Sequence, residues 1–221
     1  MVEALKYPQF DLIASLGVSF ADVPSLAGYL TNRTLEFVVD LRPEPEAILA
    51  AMDRVHRKNI RRAERTGLEI EQDPSLDSLL TLRSMQELAA ERSRQKGGGF
   101  RIRTREYFEK LYTHVFSPGI GELWVARKDG DVVAALAYLG AAGRAMTVRS
   151  GSSALGYEIR AMYLLQDAVI RRARERGFEE LNLGGIPEAA AEADHPEHGL
   201  YDFKKGFGGK ARLRTGLAVD L

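Results

Sequence analysis

The chain has 221 residues, with 31 Lys plus Arg against 31 Asp plus Glu, and no cysteine. Hydrophobic residues make up 45% and charged residues 28%, an ordinary globular composition that excludes global disorder. A formal charge of zero excludes nucleic-acid binding by bulk charge, and the lack of Cys excludes disulfides, thiolate zinc sites and cysteine nucleophiles.

No apolar run reaches the roughly 18 residues needed to span a bilayer. The start, MVEALKYPQF, carries Glu3 and Pro8, and Asp11 follows, where a signal peptide needs an unbroken apolar stretch. The expectation is a protein with no membrane span and no export signal, placed in the cytoplasm. Residues 1–33 show no clear periodicity. Pro8, Gly17, Pro24 and Gly28 punctuate them, so they read as irregular.

Thr34 to Leu41, TLEFVVDL, is strand-like. Arg42-Pro43-Glu44-Pro45 turns the chain and starts a helix, because proline and glutamate both suit a first helical turn. One helix is predicted from about Pro45 to Arg65, stopping at Thr66-Gly67. Its apolar residues Ile48, Leu49, Met52, Val55, Ile60 and Ala63 recur close to a 3.6 period. Arg54, Arg57, Lys58, Arg61, Arg62 and Arg65 fall largely on the other side. Leu68 to Gln72 alternates as a strand. Ser75 to Arg94 is a second amphipathic helix, and Lys96 to Phe100 is a basic, glycine-rich loop.

Thr104 to Val115 is a third helix with Thr104 as a candidate cap. Three strand signals follow, at Glu122–Arg127, Val132–Leu139 and Arg144–Val148. Lys128-Asp129-Gly130-Asp131 is a hairpin turn between the first two, and Ala141-Ala142-Gly143 turns between the next pair. After the polar loop Ser150–Ser153, a long helix is predicted from Glu158 to Arg176, ending at Gly177. Phe178–Leu183 is a strand, Gly184–Gly199 a polar loop, Tyr201–Lys205 a helical turn and Leu213–Leu221 a final strand. This order is α/β with a mixed sheet. The meander is antiparallel, and the helical crossover returns a strand in parallel.

That element order resembles the GNAT acyltransferase fold, a mixed sheet flanked by helices. Three stretches narrow the resemblance: RKNIRRAERTG at Arg57–Gly67, NLGGIPE at Asn182–Glu188 and GLYDFKKGFGG at Gly199–Gly209. Together they are similar to the Fem-type (FemABX) peptidyltransferases and their GNAT-like relatives, over roughly Thr34 to Leu221. On this resemblance, residues 34–66 correspond to the last strand and helix of a first Fem domain, and 67–221 to a GNAT-like domain. The implied reaction moves an amino acid from aminoacyl-tRNA to an amine on the stem peptide of a peptidoglycan precursor. No metal or redox cofactor is implied. Members usually carry two GNAT-like domains that both contact the precursor, and the residues before Thr34 are too few for another. A second chain, as in a homodimer, would then complete the site, or the substrate is smaller.

Aminoacyl transfer needs a positioned, deprotonated amine and a polarised ester carbonyl. It also needs stabilised charge on the tetrahedral intermediate and on the departing ribose oxygen. The resemblance implies Phe203 and Lys204 at the reaction centre. A lysine there stabilises an oxyanion or leaving oxygen, and a Phe ring stacks on the terminal adenine. By spacing alone, Phe203 reads as core and Lys204 as a solvated surface charge, with Lys205 a competing assignment.

Arg103 and Tyr107 stand at i, i+4 across a helix start and share a face. The resemblance implies that an Arg and a Tyr at this separation bind the precursor's diphosphate, which a guanidinium fork fits. Arg101 and Arg105 are rivals for the arginine. Arg57, Lys58, Arg61 and Arg62 are either a solvated helix face or a phosphate and tRNA platform, whose affinity would fall steeply with salt.

Arg149 opens the stretch RSGSSALG, ending at Gly156. It stands where CoA-dependent GNAT enzymes carry a pyrophosphate loop, but with different spacing. Arg149 is a substrate-binding candidate, and acyl-CoA is the alternative co-substrate. The alternative functions are a CoA-dependent N-acyltransferase and a non-catalytic binding remnant of the fold. Asp194, His195, Glu197 and His198 cluster around Pro196 without helical spacing, which favours a solvated loop over a metal site. His56 and His114 read as lone helix histidines, surface or core rather than catalytic.

Overall fold

Among the described residues, eight strands form one sheet: β1 (Gln9–Ile13), β2 (Leu30–Asp40), β3 (Glu69–Gln72), β4 (Gly121–Lys128), β5 (Asp131–Ala141), β6 (Arg144–Ser152), β7 (Glu180–Pro187) and β8 (Lys210–Asp220). Their spatial order is β1-β8-β2-β7-β6-β5-β4-β3. This is a computed structural model, and it describes residues 9–13, 30–95, 97–98 and 102–220. Neighbouring strands run antiparallel except β6 and β7, which run parallel. The helices are α1 (Pro45–Ala51), α2 (Arg54–Glu64), α3 (Leu76–Gln95), α4 (Arg105–Leu111), α5 (Ala154–Glu158), α6 (Ala161–Glu175) and α7 (His198–Lys205). A π-helical turn, Tyr112–Phe116, extends α4, and a 3-10 turn, Glu188–Ala191, follows β7.

The helices cover both faces of the sheet. On one face Ile48 of α1, Met52 just after it and Ile60 of α2 meet Leu165, Val169 and Ile170 of α6, with Leu136, Tyr138, Leu181 and Phe207. On the other, Leu79 and Leu82 of α3 and Phe108 of α4 pack on Leu123, Val125, Ala135 and Ala137. Strand β5 serves both cores because its side chains alternate across the sheet.

Local signals held where they are local. Thr104 Oγ1 accepts from the Tyr107 amide at 3.2 Å and caps α4. Gly67 takes φ +69° just past α2, the left-handed conformation of a helix terminator. The single helix expected over Pro45–Arg65 is instead two. Met52 and Asp53 are extended, and the Asp53 amide donates to the Gly206 carbonyl at 2.8 Å. Arg57 then fills the end of α1, donating from Nη1 to the Ala50 and Met52 carbonyls at 2.8 Å each.

The long helix expected from Glu158 is likewise divided. It begins four residues earlier as α5, and Arg160, at φ +64°, separates it from α6. Residues expected to be irregular include β1 and the start of β2, which pair with β8. The remainder of that stretch, residues 1–8 and 14–29, lies outside the described residues. So does most of the expected glycine-rich loop, of which Gly97 and Gly98 donate back to Arg94 and Ser93 of α3. Among the described residues, no helix is long and apolar enough to cross a membrane.

Candidate active site at the parting of two strands

The parallel strands β6 and β7 pair through only three positions, Arg144 with Glu180, Ala145 with Leu181 and Met146 with Asn182. Beyond Met146, β6 stays on β5, while β7 stays on β2. The sheet therefore opens between them. A bulge in β7 shapes the opening, since Glu36 pairs with Gly185 but Val38 pairs with Asn182. Gly184 stands in the bulge at φ +84°, which a side chain would strain. Asn182 holds it by accepting from the Gly184 amide and donating to Glu36, both at 2.8 Å. This is the structural content of the NLGGIPE stretch.

Lys204, in the last turn of α7, reaches this bulge. Its Nζ donates to the Gly184 carbonyl at 2.8 Å and the Gly185 carbonyl at 3.2 Å. The residue is only 9% exposed, so the spacing-based reading of a solvated charge does not describe it. An ammonium has three donors, so one N–H is left beyond these two carbonyls. Burial pushes its pKa down to about 8, against the opposing pull of Glu36 and Glu197. Lys205 points elsewhere, is exposed, and lies with its Nζ 5.5 Å from the Tyr201 ring centroid.

Phe203 is half-buried against the α2/α6 core. Its ring meets Tyr163 and Phe207 edge-on, with centroids 5.1 Å away in each case. Behind it lies His56, buried, with Nε2 at 2.9 Å from the Phe203 carbonyl. Sequence reasoning left His56 as a generic helix histidine. Nothing local in the sequence singles it out; in the fold it lies against Gly206, where a Cβ would fall 2.0 Å from the ring.

On the α3/α4 side of the sheet, three further candidates converge. Arg149 of β6 donates from Nη2 to the Tyr107 hydroxyl at 2.9 Å and from Nη1 to the Val148 carbonyl at 2.7 Å. The Arg149 and Arg103 guanidinium carbons lie 5.2 and 5.5 Å from the Tyr107 ring centroid. Among the described residues neither arginine pairs with a carboxylate. The rival Arg105 pairs with Glu109 at 2.8 Å, and Arg101 lies outside the described residues. Arg149 belongs to β6 just past its divergence from β7, so this cluster borders the opening on the β6 side, while Lys204 of α7 contacts the β7 side.

A family profile, the Acetyltransferase (GNAT) domain, matches residues 50–205, more than half of the chain. The chain belongs to this acetyltransferase (GNAT) family. No curated protein matches it in sequence. In structure it is similar to FemX, with a TM-score of 0.70 at 16% identity, over 85% of this chain and 61% of FemX. It is similar to L-PGS from Bacillus licheniformis, with a TM-score of 0.53 at 20% identity, over 88% of this chain and 63% of that one. The third is the C-terminal domain of a protein from Agrobacterium fabrum assigned as a lysylphosphatidylglycerol synthetase. It gives a TM-score of 0.51 at 19% identity, over 87% of this chain and 62% of that one. These likenesses are of fold, and the chain spans less than two thirds of each relative's length.

The GNAT loop candidate forms the capped start of α5. The Gly156 amide donates to Ser153 Oγ at 3.1 Å. A Cβ on Gly156 would stand 2.1 Å from the Val133 carbonyl oxygen. This glycine thus lets α5 lie close on β5.

The basic patch of this GNAT chain is also rearranged. Arg57, grouped with the patch on sequence, is occupied at the end of α1. Lys58, Arg61 and Arg62 are exposed, as are Arg54 and Arg65, and none pairs with a carboxylate among the described residues. The five recur at helical spacing along one stripe of α2.

His195 Nδ1 accepts from the Glu197 amide at 3.1 Å, and His198 Nδ1 lies 3.1 Å from the Ala190 carbonyl. His114 is exposed on the π-helical turn. Among the described residues no group of three or more His, Cys, Asp or Glu is placed to share a metal ion. Two shallow concavities of about 260 and 280 Å³ lie along α6 around Asp167 and Arg171, away from both Lys204 and Arg149.

Proposed function

We propose that the chain is a Fem-type aminoacyltransferase. It would take an aminoacyl group from aminoacyl-tRNA and attach it to an amine of a peptidoglycan-precursor-like acceptor. The observation that carries the reading is the buried Lys204 Nζ at the opening between β6 and β7, with a donor to spare. In the proposed reaction the neutral acceptor amine attacks the ester carbon and a C–N bond forms. The C–O bond to the ribose then breaks. Lys204 donates a proton to the departing oxygen and regains one from the attacking nitrogen, so the net transfer is N–H to O–H. Its lowered pKa makes it a better acid for this than an ordinary lysine.

In this reading the accessible part of the Phe203 ring is where the terminal base stacks. Arg103, Tyr107 and Arg149 hold the acceptor's diphosphate, and Lys58, Arg61 and Arg62 meet the tRNA backbone. The test uses total tRNA charged with labelled amino acids and a precursor peptide bearing a free lysine amine. Label in the peptide, lost in Lys204→Met, is the expected result. Absence of both transfer and tRNA binding overturns the reading.

The family match favours a second reading, a CoA-dependent N-acyltransferase. The engaged Gly156 amide weighs against it. A thermal-shift titration with acetyl-CoA and longer acyl-CoAs discriminates, and stabilisation at millimolar CoA would support it. A non-catalytic binding remnant predicts RNA binding that survives Lys204→Met with no turnover in either protein.

A further inference from the structure

We infer that His56 is a positioning residue for Lys204. Its ring N–H, given to the Phe203 carbonyl, holds the last turn of α7 and so sets the reach of Lys204 into the β6–β7 opening. The inference rests on the reading that Lys204 acts there.

The last carbonyls of a helix need partners from beyond it. At the end of α7, Asp202 accepts from Gly206 at 2.9 Å, Lys204 from Phe207 at 3.4 Å and Lys205 from Gly208 at 3.1 Å. The Phe203 carbonyl takes His56 Nε2 at 2.9 Å. A second clamp from the same stretch lies just beyond, where the Asp53 amide donates to the Gly206 carbonyl at 2.8 Å. Lys204 lies between these two fixed points.

The imidazole has little freedom. Phe207 and Tyr163 meet it edge-on with centroids at 4.8 and 5.0 Å, and Phe203 lies at 6.0 Å. Gly206 leaves room for the ring and none for a side chain. A carbonyl only accepts, so Nε2 carries the proton and Nδ1 is bare. Nδ1 is buried and has no partner. An apolar ring would fill the same cage without burying an unpaired nitrogen. What the imidazole adds is the donor at Phe203.

The charge state agrees with this geometry. The groups facing the ring are Asp53 from the break before α2, Asp202 from α7 and the Tyr163 phenol from α6. The two acids favour protonation, but burial prevails and lowers the His56 pKa. The ring is neutral in the neutral pH range and donates one proton in one direction.

The experiment titrates Lys204 by NMR in protein labelled with 13Cε-lysine, its signal assigned by its absence in Lys204→Met. In His56→Phe the Lys204 pKa is expected to rise by about a unit toward that of an ordinary lysine, as Nζ gains water. His56→Gln, which keeps an N–H, is expected to hold the wild-type value. An unchanged pKa in folded His56→Phe overturns the inference, as does an equal shift in both variants. If His56→Phe does not fold, the 15N spectrum of the native imidazole decides. Nε2–H with bare Nδ1 between about pH 7 and 8 is expected, and the reverse tautomer overturns it. The readout is independent of turnover. Retained transfer in Lys204→Met would defeat the functional reading alone, and a static Lys204 pKa would defeat this inference alone.

Discussion

Arg149 of β6 donates to the hydroxyl of Tyr107 of α4 at 2.9 Å, joining residues 42 apart in sequence at the edge of the sheet's opening. The bond orients a guanidinium that has no carboxylate partner among the described residues. Arg103 lies over the same ring. Arg149→Ala and Arg103→Ala should each weaken pyrophosphate or a diphosphate-bearing acceptor about tenfold, as expected for a lost charge-assisted hydrogen bond. Tyr107→Phe should weaken it less, through lost orientation. Calorimetric titration measures all three, and equal affinity in wild type and Arg149→Ala would remove the cluster from the site.

Lys204 separates function from stability. Its pKa is near 10.5 when unfolded and about 8 in the fold. Between those values the unfolded chain binds more protons, so this group makes stability rise with pH from about 8 to 10.5. Below pH 8 its burial penalty is fully present. Lys204→Met removes that penalty and leaves the Gly184 and Gly185 carbonyls without their donor, two effects that oppose. Urea unfolding at pH 7 should therefore show no net loss of stability. Transfer should fall on the order of 100-fold. A loss above about 2 kcal/mol would mark the lysine as a structural anchor instead. Wild-type transfer, expressed per neutral acceptor amine, should decline as pH rises through about 8, because the ammonium is the donating form.

Arg57 and its neighbours on α2 should divide cleanly. Arg57→Ala strips donors from the α1 carbonyls and should cost about 1–2 kcal/mol, with no change in how RNA affinity depends on salt. Lys58→Ala, Arg61→Ala and Arg62→Ala should leave stability within about 0.5 kcal/mol. Each should reduce the slope of log affinity against log salt by about 0.7 for a single-stranded RNA end. Filter binding across a salt series, paired with thermal melts, gives both numbers.

Gly206 and Gly199 share one helical segment and should respond in opposite ways. A Cβ at 206 meets the caged His56 ring, while one at 199 meets nothing within 4 Å. Gly206→Ala should lose about 3 kcal/mol or more, the scale of overpacking a rigid site. Gly199→Ala should melt within a few degrees of wild type. Equal melting points would mean that the ring moves freely, contrary to its packing.

The misread helix over Pro45–Arg65 shows where periodicity stops informing. Met52 fits the 3.6 pattern on both sides of the break, so nothing local announces it. The break is made by the Asp53 amide reaching Gly206 and by Arg57 turning back on α1. Lys204 is the opposite case. Its helical position reads as surface, and only the likeness of GLYDFKKGFGG to Fem-type proteins raised it. The structure buries it because a bulge in β7, distant in sequence, turns two carbonyls toward it. His56 had no motif at all, since its importance lies in a contact with a residue 147 positions away.

Turn residues, caps and hydrophobic period act over a few residues, so the order of elements and the mixed sheet could be read from the chain. The same local terms placed the hairpin at Lys128–Asp131 and the cap at Thr104. The formal neutrality of the composition could also be read, together with the basic stripe it conceals on α2. Which charges stay in water and which meet at the opening of the sheet could not. That depends on β2 reaching across to β7 and β8, on β6 parting from β7, and on α2 clamping α7. Those contacts join distant segments, and burial by distant segments sets the solvation, donors and proton affinity of Lys204.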